Sequence, residues 1–374
     1  MIGNKSSSMS SGIYTKIDKE LQKRNERSLL RELKTSKGKD FCSNDYLGLA
    51  NHPKILEAMH EGINHLGLGS TASRLVRGHY QVFNDLEDVI CEITQTISSL
   101  FVANGFVANL GLIDALSDSR TQIFTDRLNH ASILDGIRIA GSKKIYFNHL
   151  DYDDLEAKLK KSNLDDSKII IAESIYSMDG DRSDVKKLVD LKIKYNTCLI
   201  LDETHAFGVE GRKGSGLGTA YSEIDFRIFT LGKALGLEGG IIACNTSKAR
   251  DYLINCMRSF VFSTAPMPAI AYAGITALHL MSNMDREREH LAKVGILLRE
   301  GLQAKSFQTG NSTSQIVPVL LNSEEEALAM ADKFQKQGFD LRAIRPPTVP
   351  TPRIRISLHS NHTEFDVACL VRNF

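Results

Sequence analysis

The stretch KIIIAESIYSMDGDRSDVKKLVDLKIKYNTCLILDETH, residues 168–205, decides the fold. It opens on a β-branched apolar run at 168–172 (KIIIA), crosses an amphipathic segment at 183–195 and closes on a second apolar run at 197–201 (TCLIL). Two such runs joined by a helix-like crossover read as a βαβ unit, with parallel strands covered on both faces. The pattern repeats on either side. Further strands are expected at 99–103, 121–125, 143–148, 226–230 and 239–244, and further amphipathic segments lie near 106–117, 130–141 and 152–161. An α/β fold on a mostly parallel, seven-stranded sheet follows. After about residue 285 a long charged helix precedes shorter alternating elements at 316–321, 339–344 and 353–358, which predicts a smaller C-terminal α/β domain. The expected organisation is a tail and helical segment over 1–45, a large domain over 46–285 and a small domain over 286–374. Within the first part, residues 1–12 read as a flexible polar tail, and 13–36 carry apolar positions at helical spacing.

Bulk properties narrow the function. The chain has 374 residues, 42% of them hydrophobic and 24% charged, an ordinary balance for a globular protein with a sizeable core. Lys and Arg total 46 against 45 Asp and Glu, so composition offers no case for nucleic acid or an anionic membrane as a partner. The six cysteines stand singly, without close pairs at metal spacing, and read as free thiols in a reducing compartment; no metal is expected. The N-terminus lacks the apolar core of a secretory signal, and no apolar run reaches the roughly 20 residues needed to span a bilayer. A cytoplasmic protein is expected.

In sheets of this kind ligands gather at the carboxyl ends of the strands, so the residues that follow each strand are informative. The run 99–103 leads into Asn104-Gly105-Phe106 and a helix, where a glycine lets backbone N–H groups approach a phosphate. Strand 121–125 leads to Asp126 and His130; strand 168–172 leads to Glu173 and Ser177; strand 197–201 leads to Asp202 and His205; strand 226–230 delivers Thr230 and Lys233. Each has a plain alternative: a solvated lysine, a helix-capping aspartate, a satisfied core histidine. Taken together they meet the needs of pyridoxal 5′-phosphate (PLP). That cofactor requires a lysine for its aldehyde, an anion at the pyridine nitrogen, a planar group against the ring and donors for its phosphate. Gly67-Leu68-Gly69 follows a helix-like stretch and lacks the rest of a dinucleotide fingerprint, which argues against such a cofactor.

The stretches SNDYLGL (43–49), GSTASRLVRG (69–78), NGFVAN (104–109), DRLNHAS (126–132), ESIYSMDGD (173–181), LDETHAFGVEG (201–211), TLGKALG (230–236) and FSTAPMP (262–268) resemble the α-oxoamine synthases. These are PLP-dependent transferases of fold type I, the aspartate-aminotransferase-like architecture. The resemblance implies that Lys233 bonds the cofactor's aldehyde, Asp202 partners the ring nitrogen, His205 faces the ring oxygen, His130 stacks on the ring and Ser177 lies near its hydroxyl. Gly105, Phe106 and Thr230 would hold the phosphate. It further implies a homodimer with shared sites, Ser263 and Thr264 reaching the neighbour's phosphate, and Asn44 and Thr348 near the substrates. In Arg353-Ile354-Arg355 both arginines share a strand face. The resemblance favours Arg355 as the ligand of the substrate carboxylate, with Arg353 as the alternative. The segment AIRPPTVP (343–350) is most similar to the branch that joins L-alanine to a pimeloyl thioester, on CoA or a carrier protein, in biotin synthesis. Relatives that pair glycine with a short or long acyl-CoA, a conventional aminotransferase and a non-catalytic scaffold subunit are the rival readings. Two departures from the family pattern are the short Thr351-Pro352 link before the arginines and Phe262 where some relatives carry tyrosine.

Overall fold

The computed structural model describes residues 12–26, 29–162 and 167–374. Apart from Gly12, the polar tail expected over 1–12 lies outside these residues. The main sheet comprises β2 (Ser98–Val102), β3 (Gln122–Asp126), β4 (Lys143–Phe147), β5 (Lys168–Glu173), β6 (Cys198–Asp202), β7 (Phe226–Thr230) and β8 (Gly240–Cys244), numbered after a two-residue β1 (Lys39–Asp40). Its order is β2-β8-β7-β6-β5-β3-β4, and β8 alone runs against the others. The expected seven-stranded, mostly parallel sheet is therefore present.

The side-chain alternation of a strand explains how both faces are covered. In β5, Ile169 and Ile171 pack with Leu112, Ile133 and Ile137 beneath the helices Gly105–Leu116 and Ala131–Ala140. The intervening Ile170 and Ala172 pack with Leu155, Leu159 and Leu188 from the helices Tyr152–Lys160 and Val185–Tyr195. Polar caps fix where these helices begin: Asn104 accepts from the Val107 amide and Asp184 from the Lys187 amide. Because six strands share one direction, Asp126, Glu173, Asp202 and Thr230 all emerge at the same edge. Glu173 and Asp202 stand directly opposite one another across β5 and β6.

A second, antiparallel sheet has the order β11 (Ala343–Ile344), β12 (Arg353–Ser357), β9 (Ile316–Leu320). The helices Asp285–Ala304, Glu324–Lys336 and Glu364–Asn373 accompany it. Its Val317, Val319, Ile354 and Ile356 join Phe41, Tyr46, Phe207 and Phe229 in one apolar cluster that reaches the main sheet. The element expected over 339–344 proves to be two. Phe339–Asp340 (β10) pairs in parallel with β1, and Ala343–Ile344 pairs with β12. The helix expected over 13–36 spans Gly12–Glu26, and none of its residues is buried. No helix among the described residues is long and apolar enough to cross a membrane.

One buried ion pair ties the main sheet to the loop after β6. Arg227 donates through Nε to Glu203 Oε2 at 2.6 Å and also to the carbonyls of Thr94 and Ser215. Breaking a buried pair from one side strands a charge. Arg227→Met is therefore expected to lower unfolding stability by about 3 kcal/mol or more, and Arg227→Met with Glu203→Gln by clearly less. Urea unfolding followed by circular dichroism measures both.

Candidate active site

The common strand edge gathers the candidate groups from separate elements. Asp202, at the end of β6, is buried. Its Oδ2 accepts from Asn109 Nδ2 at 2.6 Å and its Oδ1 from the Thr204 amide at 2.9 Å. Asn109 lies one turn beyond Gly105 on the same helix, so the helix whose start faces the site also grips the aspartate. At that start the Gly105 and Phe106 amides have no hydrogen-bond partner among the described residues, because Asn104 caps Val107. Two free N–H groups at the head of a 12-residue helix suit an anion. A Cβ built on Gly105 would come within 3.6 Å of both Thr204 and Thr230. The Thr230 hydroxyl donates to the Gly239 carbonyl at 2.8 Å and accepts from the Gly232 amide at 3.1 Å, which orients the turn leading to Lys233.

Lys233 is half-buried, and its Nζ forms no hydrogen bond or ion pair among the described residues. Burial pushes its ammonium down to about 8, while Asp202 and Glu173 pull the other way. The lowered value brings the free amine, the form that attacks an aldehyde, within reach at mildly alkaline pH, although the ammonium still predominates at neutrality. Glu173 is buried beside Asp202, and burial and that neighbouring charge push its carboxyl well above the usual range. Its Oε1 accepts from the His130 amide at 2.5 Å and so fixes the turn that carries the histidine. The His130 Nδ1 accepts from the Ser132 amide at 3.2 Å, which sets the ring's orientation and leaves the ring exposed.

His205 is buried, and burial, with Lys233 and Arg355 nearby, pushes it well below the usual histidine range. A bond chain assigns its tautomer. Arg355 Nη2 and Tyr46 Oη both donate to Asn44 Oδ1, at 3.0 and 2.9 Å. The Tyr46 oxygen therefore accepts from His205 Nδ1 at 2.6 Å, and Nε2 remains an acceptor.

The two arginines of β12 differ in partners. Arg353 is paired with Asp179 at 2.7 Å and also reaches the Met178 and Thr351 carbonyls. Arg355 is buried and has no acidic partner among the described residues. It donates to the Ser177 carbonyl at 2.5 Å, to Ser357 Oγ at 2.6 Å and to Asn44. A buried guanidinium held by neutral acceptors keeps its capacity for a bidentate anion.

Lys233, Asp202, His205, His130, Ser177, Asn44 and Arg355 thus converge, with Gly105, Phe106 and Thr230 beside them. Three expected residues lie elsewhere. Ser263 and Thr264 are exposed, on a small cleft with Arg74, Phe101 and Phe260. Thr348 accepts from Arg31 Nη2 at 2.9 Å on a separate cleft of about 490 Å³, whose lining shares no residue with the strand-end cluster. Asn109, Tyr46 and Glu173 are site residues to which sequence reading gave no role. For Asn109 the signal was its place four residues after Gly105; Tyr46 and Glu173 lie in quoted stretches but carry no sign of their long-range partners.

The donor set fits PLP: a lysine of lowered basicity, a buried carboxylate, an exposed planar ring and unpaired helix-start amides. Comparison with known proteins agrees. The family model for class I and II aminotransferases matches residues 36–374. An 8-amino-7-oxononanoate synthase of Saccharophagus degradans is 39% identical over 337 residues, covering 88% of this chain and 84% of its own. A putative 8-amino-7-oxononanoate synthase of Bacillus cereus is 39% identical over the same shares. Among solved structures, the serine palmitoyltransferase of Sphingomonas wittichii superposes with a TM-score of 0.92 at 25% identity over 97% of each chain. The 8-amino-7-oxononanoate synthase of Francisella tularensis gives 0.79 at 27% identity over 90% of this chain and 96% of its own. Whole-length likeness and a donor set shaped for one cofactor lead to the same place: the chain belongs to the class I and II aminotransferase family, as a PLP-dependent acyltransferase of the α-oxoamine synthase type.

Proposed function

We propose that the protein condenses L-alanine with a pimeloyl thioester, on CoA or a carrier protein, to give 8-amino-7-oxononanoate, carbon dioxide and the free thiol, a step in biotin synthesis. The observation that carries this reading is the placement of an arginine without an acidic partner, Arg355, beside a lysine whose basicity burial lowers, Lys233, at one strand edge. An α-amino acid offers a carboxylate to the first and an α-proton to the second. The relatives at 39% identity are named for the product 8-amino-7-oxononanoate, whose nine-carbon amino ketone is what alanine and a pimeloyl group give on loss of carbon dioxide.

PLP, when bound, supplies an electron sink for the pair left at the substrate's α-carbon. The chain's own residues do the rest. Asp202, fixed by Asn109 and the Thr204 amide, keeps a proton on the ring nitrogen; His130 covers one ring face; His205, held by Tyr46, faces the ring oxygen, with Ser177 nearby. The Gly105 and Phe106 amides would hold the phosphate, and Thr230 would join them if its hydroxyl turns from the Gly239 carbonyl. Lys233 would hold the cofactor through its aldehyde, and its Nζ, when free, would be placed to take the α-proton and return one. Arg355, steadied by Asn44, grips the carboxylate and so selects which bond to the α-carbon is broken. The cleft bearing Thr348 is lined by Arg31, Lys34 and Arg342 together with Leu29, Leu30 and Ile344, a mixture of cations and apolar groups, with Glu32 and Asp332 among them, that could take an acyl chain ending in a carboxylate. Two copies would pair through the exposed Leu75, Val76 and Phe262, which are 51%, 82% and 74% accessible, bringing Ser263 and Thr264 to the neighbour's phosphate.

With pimeloyl-CoA as acceptor, thiol release is expected with L-alanine and at most weakly with glycine; the reverse preference refutes the alanine reading. Loading of the apoprotein with PLP, followed by absorbance, is expected to speed up as pH rises through about 8, because only the unprotonated Lys233 adds to the aldehyde; Lys233→Ala should not load covalently. A midpoint near the ordinary lysine value would contradict the environment described. Arg355→Gln is expected to raise the amino-acid KM by roughly 30-fold or more, the scale of a lost charge-assisted pair, and Arg353→Gln by no more than about 3-fold. Steady-state kinetics on the two variants reads the difference.

A further inference from the structure

One charged cluster lies outside the residues assigned above. His149 follows β4, and both of its ring nitrogens face carboxylates. Nδ1 donates to Asp126 Oδ1 at 2.9 Å and Nε2 donates to Asp181 Oδ2 at 2.8 Å. A ring that donates from both nitrogens is an imidazolium. Burial opposes that charge, but the bonds to Asp126 and Asp181 prevail and hold its pKa up at about 10. The ring meets Tyr176 edge-on, with centroids 4.5 Å apart.

The two carboxylates belong to the two loops that frame the substrate end of the site. Asp126, fully buried, accepts from the Leu128 amide at 2.8 Å and the Leu150 amide at 3.0 Å, and it begins the turn that ends at His130. Asp181 closes the loop after β5: its carbonyl accepts from the Tyr176 amide at 3.1 Å, and Ile175 bridges Arg182. The carbonyls of Ser177 and Met178 in that loop take the guanidinium protons of Arg355 and Arg353. At its tip Gly180 has φ +68°, and a Cβ there would lie 2.0 Å from the Ile316 carbonyl, so the loop sits hard against β9. Asp181 Oδ1 is buried and has no partner, so His149 is the only side chain that holds this carboxylate among the described residues.

We propose that His149 is a positioning residue: bridging Asp126 and Asp181, it sets the Ser177 loop against the His130 turn and thereby aims Arg355 at the substrate's carboxylate. This rests on the role given to Arg355 above and adds a residue that touches neither cofactor nor substrate. Loss of the bridge frees the loop whose carbonyl orients the Arg355 Nε, so the penalty falls on ligands that present a carboxylate. A general loosening of the fold would weaken every amine alike.

The test titrates the PLP-loaded protein with L-alanine and with alaninol, which lacks the carboxylate, following the absorbance of the bound cofactor. His149→Gln is expected to weaken L-alanine by about 10-fold and alaninol by less than about 2-fold. Asp181→Asn, a nearly isosteric change, is expected to show the same pattern and serves if the first variant folds poorly. Equal weakening of both ligands, or no weakening of either, overturns the proposal. If the parent protein responds to glycine and not to alanine, the choice of donor is what fails, and glycine against ethanolamine runs the same test.

Discussion

A carboxylate sealed at the end of a strand must find its hydrogen bonds inside the protein, and Asp202 finds two. The Thr204 amide comes free with the chain's turn out of β6. The Asn109 amide does not: it requires the helix Gly105–Leu116 to lie with its first turn against the strand ends. That single bond therefore places the unpaired helix-start amides and the buried acid in one rigid frame. The remaining groups are registered to it through β5 and β7, since Glu173 stands opposite Asp202 and holds the His130 amide, while Thr230 sets the turn before Lys233.

Burial then decides which forms of the neighbouring groups exist. It lowers the lysine to about 8, lowers His205 well below its ordinary range and raises Glu173 well above its own. Each shift goes toward the neutral form, as expected where water is excluded. The cluster so avoids a crowd of unpaired charges, and the amine it produces is the reactive species. The same low-dielectric edge makes the unpaired guanidinium of Arg355 costly unless neutral acceptors surround it. The Ser177 carbonyl, Ser357 and Asn44 meet that need without neutralising it.

The seven strands of the main sheet were legible in the sequence to within about a residue because most are apolar runs buried on both faces; the edge strand β4, with Lys143 and Lys144 exposed, is the least so. The strand-end residues were legible for the same reason: once the strands are placed, their exits are too. What stayed hidden was contact between distant segments. Nothing local shows that Tyr46 meets His205 across 159 positions, or that Asn109 meets Asp202 across 93. Strand periodicity could not separate Arg353 from Arg355, which point the same way; the difference lies in Asp179, placed opposite Arg353 by a loop 174 residues earlier. The expected element over 339–344 split because two short pairings in different sheets leave no alternation long enough to read. Thr348 proved to lie on a different cleft, since the 343–350 segment follows the edge strand β11 and faces the N-terminal Arg31 rather than the strand ends.

The division of labour between the two sheets follows from these contacts. The parallel sheet alone offers helix starts and acids at a common edge, because only parallel strands release all their crossovers on one side. Its own amine in the cluster is Lys233, which the proposed function reserves for the cofactor and the α-proton. The cation left for a carboxylate comes from β12 of the second sheet, whose Arg355 donates to the Ser177 carbonyl in the loop after β5. The two sheets share one apolar cluster, so their relative placement is fixed by packing, but the fine aim of the guanidinium depends on polar contacts to the loop after β5. On the proposed function, the groups that serve the cofactor and move the proton would belong to the large sheet, and recognition of the substrate's carboxylate to the small one. Changes in and around β12 can therefore retune which amino acid is held while leaving the cofactor's surroundings, and so the chemistry, as they are.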